Sequence, residues 1–555
     1  MDGASSSALP ELAAEFWAWR TRTQPDSYDD ITRVERPPDQ VADWSSSAMR
    51  ARREAHEGFS DRYRRIEVSD VDTSDQVDRR LLGSALARVR WELDLSRAWQ
   101  RDPSFYVDQS LVCVYNLLLE PPPFGTQRAD AVVRHLRNVP VVLEQAHENL
   151  AGTIVGPFAR RTLTVLHQAD EQLRTAMSAL AVSLPDRRLP AAAETAARAV
   201  AGYREWLARQ APFDTDEVAV GADAFAFFLH RVALLPFPAE QLRTMAHQER
   251  NRVAWAETLS CRGDHTVAKG KLPGMAELIA RQRDAERDLR RFYLEHGVLS
   301  LPAGPRRYRM APLPAYLEPL TWLGVPHYPA SPSRVDDDAI RYVRQPHPSL
   351  PYFDLAEIRT PLTGLAHEGI HAQQLAISWQ HDNPARRHYY DSAPNEGIAF
   401  YHEELLLNLG AFDSEPAGAA FVVNAMRLRA LRVEIDVALA LGELSLREAA
   451  DVLAESVPMD RATAWQEATF FAGNPGQGLS YQIGKLQILD LLAACAQRQG
   501  DAFDLKAFHD RLWLEGNVPV ALQRWELLGL RDHLDRADLL APAGVERPPA
   551  PWRCY

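Results

Sequence analysis

The stretch Leu365–Leu375, LAHEGIHAQQL, decides how this chain is read. It carries His367, Glu368 and His371 in the order His-Glu-x-x-His. Its surroundings, RTPLTGLAHEGIHAQQLAISWQ (Arg359–Gln380), hold a helix-start signal. Thr360 can cap, and Pro361 suits the first helical position. On a helix, residues four apart are separated by slightly more than one turn, so both imidazoles point the same way. Two such rings can hold one Zn²⁺ at about 2.0–2.1 Å each. Glu368 then projects beside the metal, where it can take a proton from an attacking water. The plain alternative is a polar helix face with two ordinary histidines.

A catalytic zinc needs a third protein ligand and one open position. The segment DSAPNEGIAFYHEELLLNLG follows, with Pro394 suited to a helix start and Gly410 to a helix end. Glu396 falls in the first turn of that helix, 25 residues after His371. A helix–loop–helix of this length can return its carboxylate to the two histidines. The plain reading of Glu396 is a first-turn acid favoured by the helix dipole. Glu403 lies on nearly the same face and could stand behind the site, but an exposed acid is the preferred reading. His327, His347, His381 and His388 have no evident partner.

Outward from the motif, most of the chain reads as helix, with apolar residues recurring at three- and four-residue spacing. Clear cases are Ala191–Gln210, Ala239–Leu259 and Met275–Gly297, the last ending on a glycine suited to a helix C-terminus. The stretch from Leu299 to Pro351 is rich in proline and aromatic residues. It reads as short strands with a long loop, or equally as a linker between two helical halves. As strands it would offer an edge to an extended substrate near the motif.

The chain of 555 residues has a formal charge of −13, from 62 basic and 75 acidic residues. That argues against nucleic acid as a main partner, since phosphate binding needs a basic face. The four cysteines, Cys113, Cys261, Cys495 and Cys554, form no C-x-x-C pair, and read as buried or incidental thiols in a reducing compartment. The start, MDGASSSALPELAAEFW, lacks the basic and apolar regions of a secretory signal. No stretch has the length and apolarity of a membrane span. A soluble, cytoplasmic protein with no membrane partner is expected.

The combination of His-Glu-x-x-His with a glutamate two dozen residues on resembles the gluzincin metallopeptidases. The helical setting resembles their thimet-oligopeptidase and angiotensin-converting-enzyme branch. A closer resemblance is to the bacterial domain-of-unknown-function family 885, distant kin of that branch. It is carried by NEGIAFYHEELLLNLG, ALRVEIDVAL, NPGQGLSYQIGKLQILDLL and DAFDLKAFHDRLWLEGNVPVALQRW. The likeness is dense from about Pro361 to Leu528. Members of that family usually read His-Glu-x-x-Pro-Gly-His-His. Here His371 stands at the proline, and Gln373 and Gln374 stand at the two histidines. Arg432 and Asp436 match the family, while Ala440 replaces a histidine.

The resemblance implies a mainly α protein, a large helical ellipsoid with a deep central cleft and a short β segment near the active site. Residues 1–300 would form a helical half covering the cleft and 301–555 the half with the zinc site, or the two would be one continuous domain. His367, His371 and Glu396 would hold Zn²⁺, and Glu368 would act as general base. Tyr481 matches the family position at which a phenol donates to the oxyanion; a core tyrosine is the equal alternative. Lys485, four residues on, could bind a substrate carboxylate, but a solvated lysine is preferred. Arg432 and Asp436, also four apart, could form a helix pair or one could orient a site ligand; a structural pair at the cleft is the preferred reading.

The function expected is zinc-dependent hydrolysis of an amide bond in a short peptide or small molecule. The changes at Gln373, Gln374 and Ala440 keep open a biosynthetic zinc enzyme acting on an amide, ester or other bond of a specialised metabolite. A non-catalytic helical binding protein with a vestigial site is the third reading. No oligomeric state is implied.

Overall fold

The computed structural model describes residues 8–26, 34–66, 72–210, 213–260, 271–301 and 306–542. Residues 1–7 of the N-terminal reading, Cys261, Cys554 and residues 302–305 of the proline-rich segment lie outside these ranges. Cys113 and Cys495 are free and buried. The three helices marked by periodicity run over Leu189–Arg209, Ala239–Ser260 and Met275–Glu295. The last of these stops where Gly297 takes a φ of +58°, a conformation that costs glycine little.

The proline-rich segment holds a sheet and is not a bare linker. Strands β1 (Tyr308–Pro312), β2 (His327–Tyr328) and β3 (Ala339–Val343) lie in the order β1–β3–β2. β1 runs parallel to β3 with Tyr308 opposite Ala339, and β2 runs antiparallel with His327 opposite Arg341. The outer edge of β1 is covered by Gln282 of the helix Met275–Glu295. Its amide donates to the Tyr308 carbonyl at 2.8 Å and accepts from the Met310 N–H at 3.2 Å. Two backbone groups that an edge strand would leave open are thereby satisfied.

Four helices position the site: α1 (Ile370–Ser378), α2 (Ser392–Asn408), α3 (Pro416–Leu441) and α4 (Gln477–Gln499). α2 is buried around most of its circumference, as a core helix is. Asp391 caps it by accepting from the Ala393 N–H at 2.9 Å. It therefore begins two residues before Pro394, and Glu396 sits in its second turn. α2 and α4 approach so closely that their backbones meet at Gly397 and Gly484.

The apolar core is continuous across residue 300. One cluster joins Trp44 and Leu207 to Tyr342 and Trp525, and another joins Trp91 and Leu235 to Ala393 and Leu479. Among the described residues, no helix is long and apolar enough to cross a membrane.

Candidate metal centre

The His-Glu motif lies where its helix widens. Pro361–Gly364 forms one α-helical turn, Leu365–Gly369 a π-helical turn, and α1 continues from there. Pro361 takes the first helical position as expected, but the Thr360 side chain makes no capping bond. A π turn accommodates one extra residue, and such turns recur at functional sites. His367 and His371 still face the same space, with ring centroids 4.9 Å apart and planes at 89°.

α2 delivers the third group. Glu396 Oε2 lies 3.5 Å from His367 Nε2 and 3.3 Å from His371 Nε2. Tetrahedral zinc with ligands at about 2.0–2.1 Å sets its ligand atoms roughly 3.3 Å apart. Glu396 Oε2 is buried and has no hydrogen-bond partner among the described residues. A buried, unsatisfied carboxylate oxygen equidistant from two imidazole nitrogens is the arrangement a cation would satisfy. Among the described residues, these three are the group of His, Cys, Asp and Glu whose ligand atoms all lie within 4.8 Å of one another.

The electrostatics of the trio favour positive charge. Burial opposes the charge of His367, yet Glu396 and Glu403 outweigh it and raise the imidazole to about 9. Burial likewise opposes the charge of Glu396, and His371 and His367 hold its carboxyl far below the usual range.

Glu403 is not the exposed acid expected. It is buried, seven residues or two turns beyond Glu396 on the same face of α2, and accepts from His367 Nδ1–H at 2.6 Å. Arg429 of α3 donates to the same oxygen at 3.2 Å. Burial opposes its charge, and Arg429 and then His367 keep the carboxyl below its ordinary value. Glu403 thus fixes the tautomer of His367, leaving Nε2 to face Glu396. Such carboxylate–imidazole contacts orient a ligand and raise its basicity. Replacing Glu403 with Gln is expected to weaken zinc binding about 10–100-fold, read by competition with a chromophoric chelator. Unchanged affinity would mean that the contact only packs.

Glu368 is the most accessible of the motif side chains, at 34% exposure. Burial opposes its charge, but His367 first, and His371 after it, lower its carboxyl below the usual value. Its neighbour across the site is His327 of β2, with Nδ1 3.8 Å from Glu368 Oε2. Burial takes His327 down to about 4, so the ring is neutral at pH 7. Nothing in the sequence marked His327, because the contact is made by a two-residue strand 41 positions upstream. His402 ties α2 to the π turn through Nδ1–H to the Ala366 carbonyl at 2.8 Å and takes the Tyr293 hydroxyl at 2.9 Å.

α4 brings Tyr481 beside the cluster, its ring 6.2 Å from that of His367 and nearly parallel at 14°. Arg432 lies 4.7 Å from the centroid of the Tyr481 ring. Two expectations on these helices are overturned. Arg432 and Asp436 are not a pair: Arg432 forms a double hydrogen bond with Glu467 at 2.6 and 2.7 Å. Asp436 instead caps α4, accepting from the N–H groups of Gly476 at 3.0 Å and Leu479 at 2.9 Å. Lys485 is not solvated. It is fully buried, with Nζ 2.7 Å from Glu404 and 3.2 Å from Glu249, so both of its acids hold it away from any substrate.

The fold and this cluster define a helical protein with a His₂Glu group of metal-binding geometry. The chain belongs to the family described as "Bacterial protein of unknown function (DUF885)", whose model matches residues 29–527. Two solved structures are similar. One, described as a "putative lipoprotein of unknown function" from Shewanella oneidensis, has a TM-score of 0.66 at 17% identity, over 94% of this chain and 98% of its own. The other, described as a "putative lipoprotein" from Colwellia psychrerythraea, has a TM-score of 0.70 at 16% identity, over 96% and 98%. At these identities the likeness concerns the fold. No curated protein matches the sequence.

Proposed function

We propose that the protein is a zinc-dependent hydrolase of an amide bond, related in its site to the gluzincin metallopeptidases and acting on a short peptide or small molecule. The observation that carries this reading is the placement of Glu396 Oε2 at 3.5 and 3.3 Å from the two histidine Nε2 atoms, with Glu368 beside them. His367, His371 and Glu396 would hold the metal. Zinc there would polarise the scissile carbonyl and ease deprotonation of water.

The chain's own residues supply the rest. Glu368 accepts the proton of the attacking water and returns it to the departing amine nitrogen. Tyr481 is within one ring of the cluster and donates its O–H to the carbonyl oxygen as charge develops there. Glu403 holds His367 in the tautomer that leaves Nε2 free. The neutral His327 stands beside Glu368, with Nδ1 3.8 Å from Oε2, and would help to orient the carboxylate.

The test is metal content, measured by elemental mass spectrometry on the purified chain. About one zinc per chain is expected for a His₂Glu site. Little metal after zinc is offered and the excess removed would overturn the reading. The pH dependence follows from His367, which must lose its proton when metal binds. Below about 9 the metal-free ring is protonated, so zinc displaces a proton. Apparent affinity is expected to rise roughly tenfold per pH unit between 6 and 9 and to level off above. A flat profile over that interval would contradict the assignment of His367 as a ligand.

A further inference from the structure

A cavity of about 530 Å³ opens at the N-terminal ends of α2 and α4. That volume suits a small organic molecule. Its apolar wall is largely aromatic, with Phe16, Trp44, Trp91 and Trp99 from the first hundred residues and Phe228 and Trp465 from later ones. Ser392 and Gln477 also line it. Each stands one turn ahead of a site residue on its own helix, Ser392 before Glu396 and Gln477 before Tyr481. The cavity wall therefore lies about 6 Å along those helices from the metal cluster.

The charges on this wall are unequally served. Arg20 is held by both oxygens of Glu92, at 3.0 and 2.8 Å. Arg161 donates to Ser104 Oγ at 2.8 Å. The acids are also engaged, Asp26 by Arg36 at 3.0 Å and Asp102 by the Ser104 N–H at 2.8 Å. Arg52 is different. It is buried at 8% exposure and lines the cavity. Its guanidinium lies 3.9 Å from the centroid of the Trp44 ring. Its hydrogen bond to protein is to Met49 Sδ, at 3.3 Å, and among the described residues no carboxylate lies within ion-pair distance of it.

A guanidinium has five donors, and a thioether is a weak acceptor. Burying such a group without a counter-ion is costly, and stacking on an indole recovers only part of that cost. Burial lowers its pKa to about 10, with Asp43 opposing through space, so Arg52 stays charged at neutral pH. The wall thus presents a fixed cation, planar and stacked, next to a set of indole and phenyl faces.

We propose that this cavity binds a small carboxylate with an aromatic or bulky apolar body, its carboxylate paired with Arg52 and its body packed against the aromatic wall. Guanidinium and carboxylate match in plane and spacing, which gives orientation as well as affinity. Ser392 and Gln477 line the same cavity, one helical turn from Glu396 and Tyr481. That the bound molecule is a substrate or product rests on the hydrolase reading; the binding itself does not.

The test is a titration of the purified full-length chain carrying Glu368→Gln, so that turnover does not intervene. The probe is N-acetyl-L-phenylalanine, with N-acetyl-L-phenylalaninamide as its uncharged counterpart, followed by tryptophan fluorescence and calorimetry. Saturable one-to-one binding of the acid is expected, with the amide weaker by about tenfold or more. Arg52→Met should weaken the acid to the level of the amide and leave the amide unchanged. Equal binding of acid and amide, binding of neither at millimolar concentration, or undiminished acid binding by a folded Arg52→Met chain would overturn the proposal. If that variant does not fold, the comparison of acid with amide on the Arg52 chain decides alone. Neither readout involves hydrolysis, so a chain without activity can pass and an active zinc enzyme can fail.

Discussion

Glu368→Gln is expected to retain zinc at the unmutated level and to lose roughly 10²–10⁴-fold in kcat/KM, the range removed with a positioned general base. The side chain differs from glutamate by one atom type, so packing around the π turn is unchanged. What is lost is the ability to accept a proton. The carboxylate is suited to that work because the charge beside it, that of His367 first, favours its ionised form against burial. It is also the motif group most open to solvent, at 34%, while the side chains of His371 and Glu396 are 5% and 10% exposed. Under the proposed function the ligands are enclosed and the base faces the entering water. The measurement pairs elemental analysis with turnover of a short-peptide and acyl-amino-acid pool. Wild-type rates from a zinc-loaded variant would exclude Glu368 as the base. Loss of zinc together with activity would assign Glu368 to metal retention instead.

The parts of this site that could be read from the chain are those set by local geometry. Two histidines four apart share a helix face whatever surrounds them, and the structure brings their rings to 4.9 Å. The return of Glu396 was legible as a distance along the chain, although the helix starts at Ser392 and not at Pro394. The misread residues are those whose partners come from afar. Glu403 was placed on the correct face of α2, but a helix buried nearly all round has no exposed face for periodicity to reveal. Lys485 is neutralised by Glu249, 236 positions away, and by Glu404. Arg432 and Asp436 had the spacing of a helix pair, yet Glu467 offers the arginine two hydrogen bonds and the start of α4 offers the aspartate backbone donors. Tertiary partners outcompete an i,i+4 contact because it contributes only about 0.2–0.5 kcal/mol. The π turn leaves no signal of its own, since one extra residue in a single turn is too short to shift the apolar period.

Gly484→Ala is expected to destabilise the protein by more than the about 1–3 kcal/mol typical of overpacking, and to disrupt metal binding with it. A Cβ at Gly484 would lie 1.8 Å from the Ala393 carbonyl oxygen and 2.9 Å from the Gly397 Cα. The reciprocal Cβ at Gly397 would lie 2.6 Å from the Gly484 carbonyl carbon. These obstacles are backbone, so no side chain can swing aside; α2 and α4 must move apart. Their separation matters to the site because Glu396 precedes Gly397 and Tyr481 lies three residues before Gly484. Moving α2 takes Glu396 Oε2 from its positions 3.5 and 3.3 Å from the histidines, and zinc has little tolerance for longer bonds. It also strains the buried contacts of Lys485 with Glu404 and Glu249, whose rupture leaves charge without a partner. Gly202→Ala is the control. Gly202 lies within the helix Leu189–Arg209, and an added Cβ there meets nothing within 4 Å. Alanine at that position should raise stability by about 0.5–1 kcal/mol, through helix propensity and a less flexible unfolded chain. Thermal unfolding of both variants, with zinc affinity measured alongside, separates the two effects. A Gly484→Ala chain as stable and as zinc-avid as the parent would mean that the close crossing of α2 and α4 does not hold the metal ligands in place.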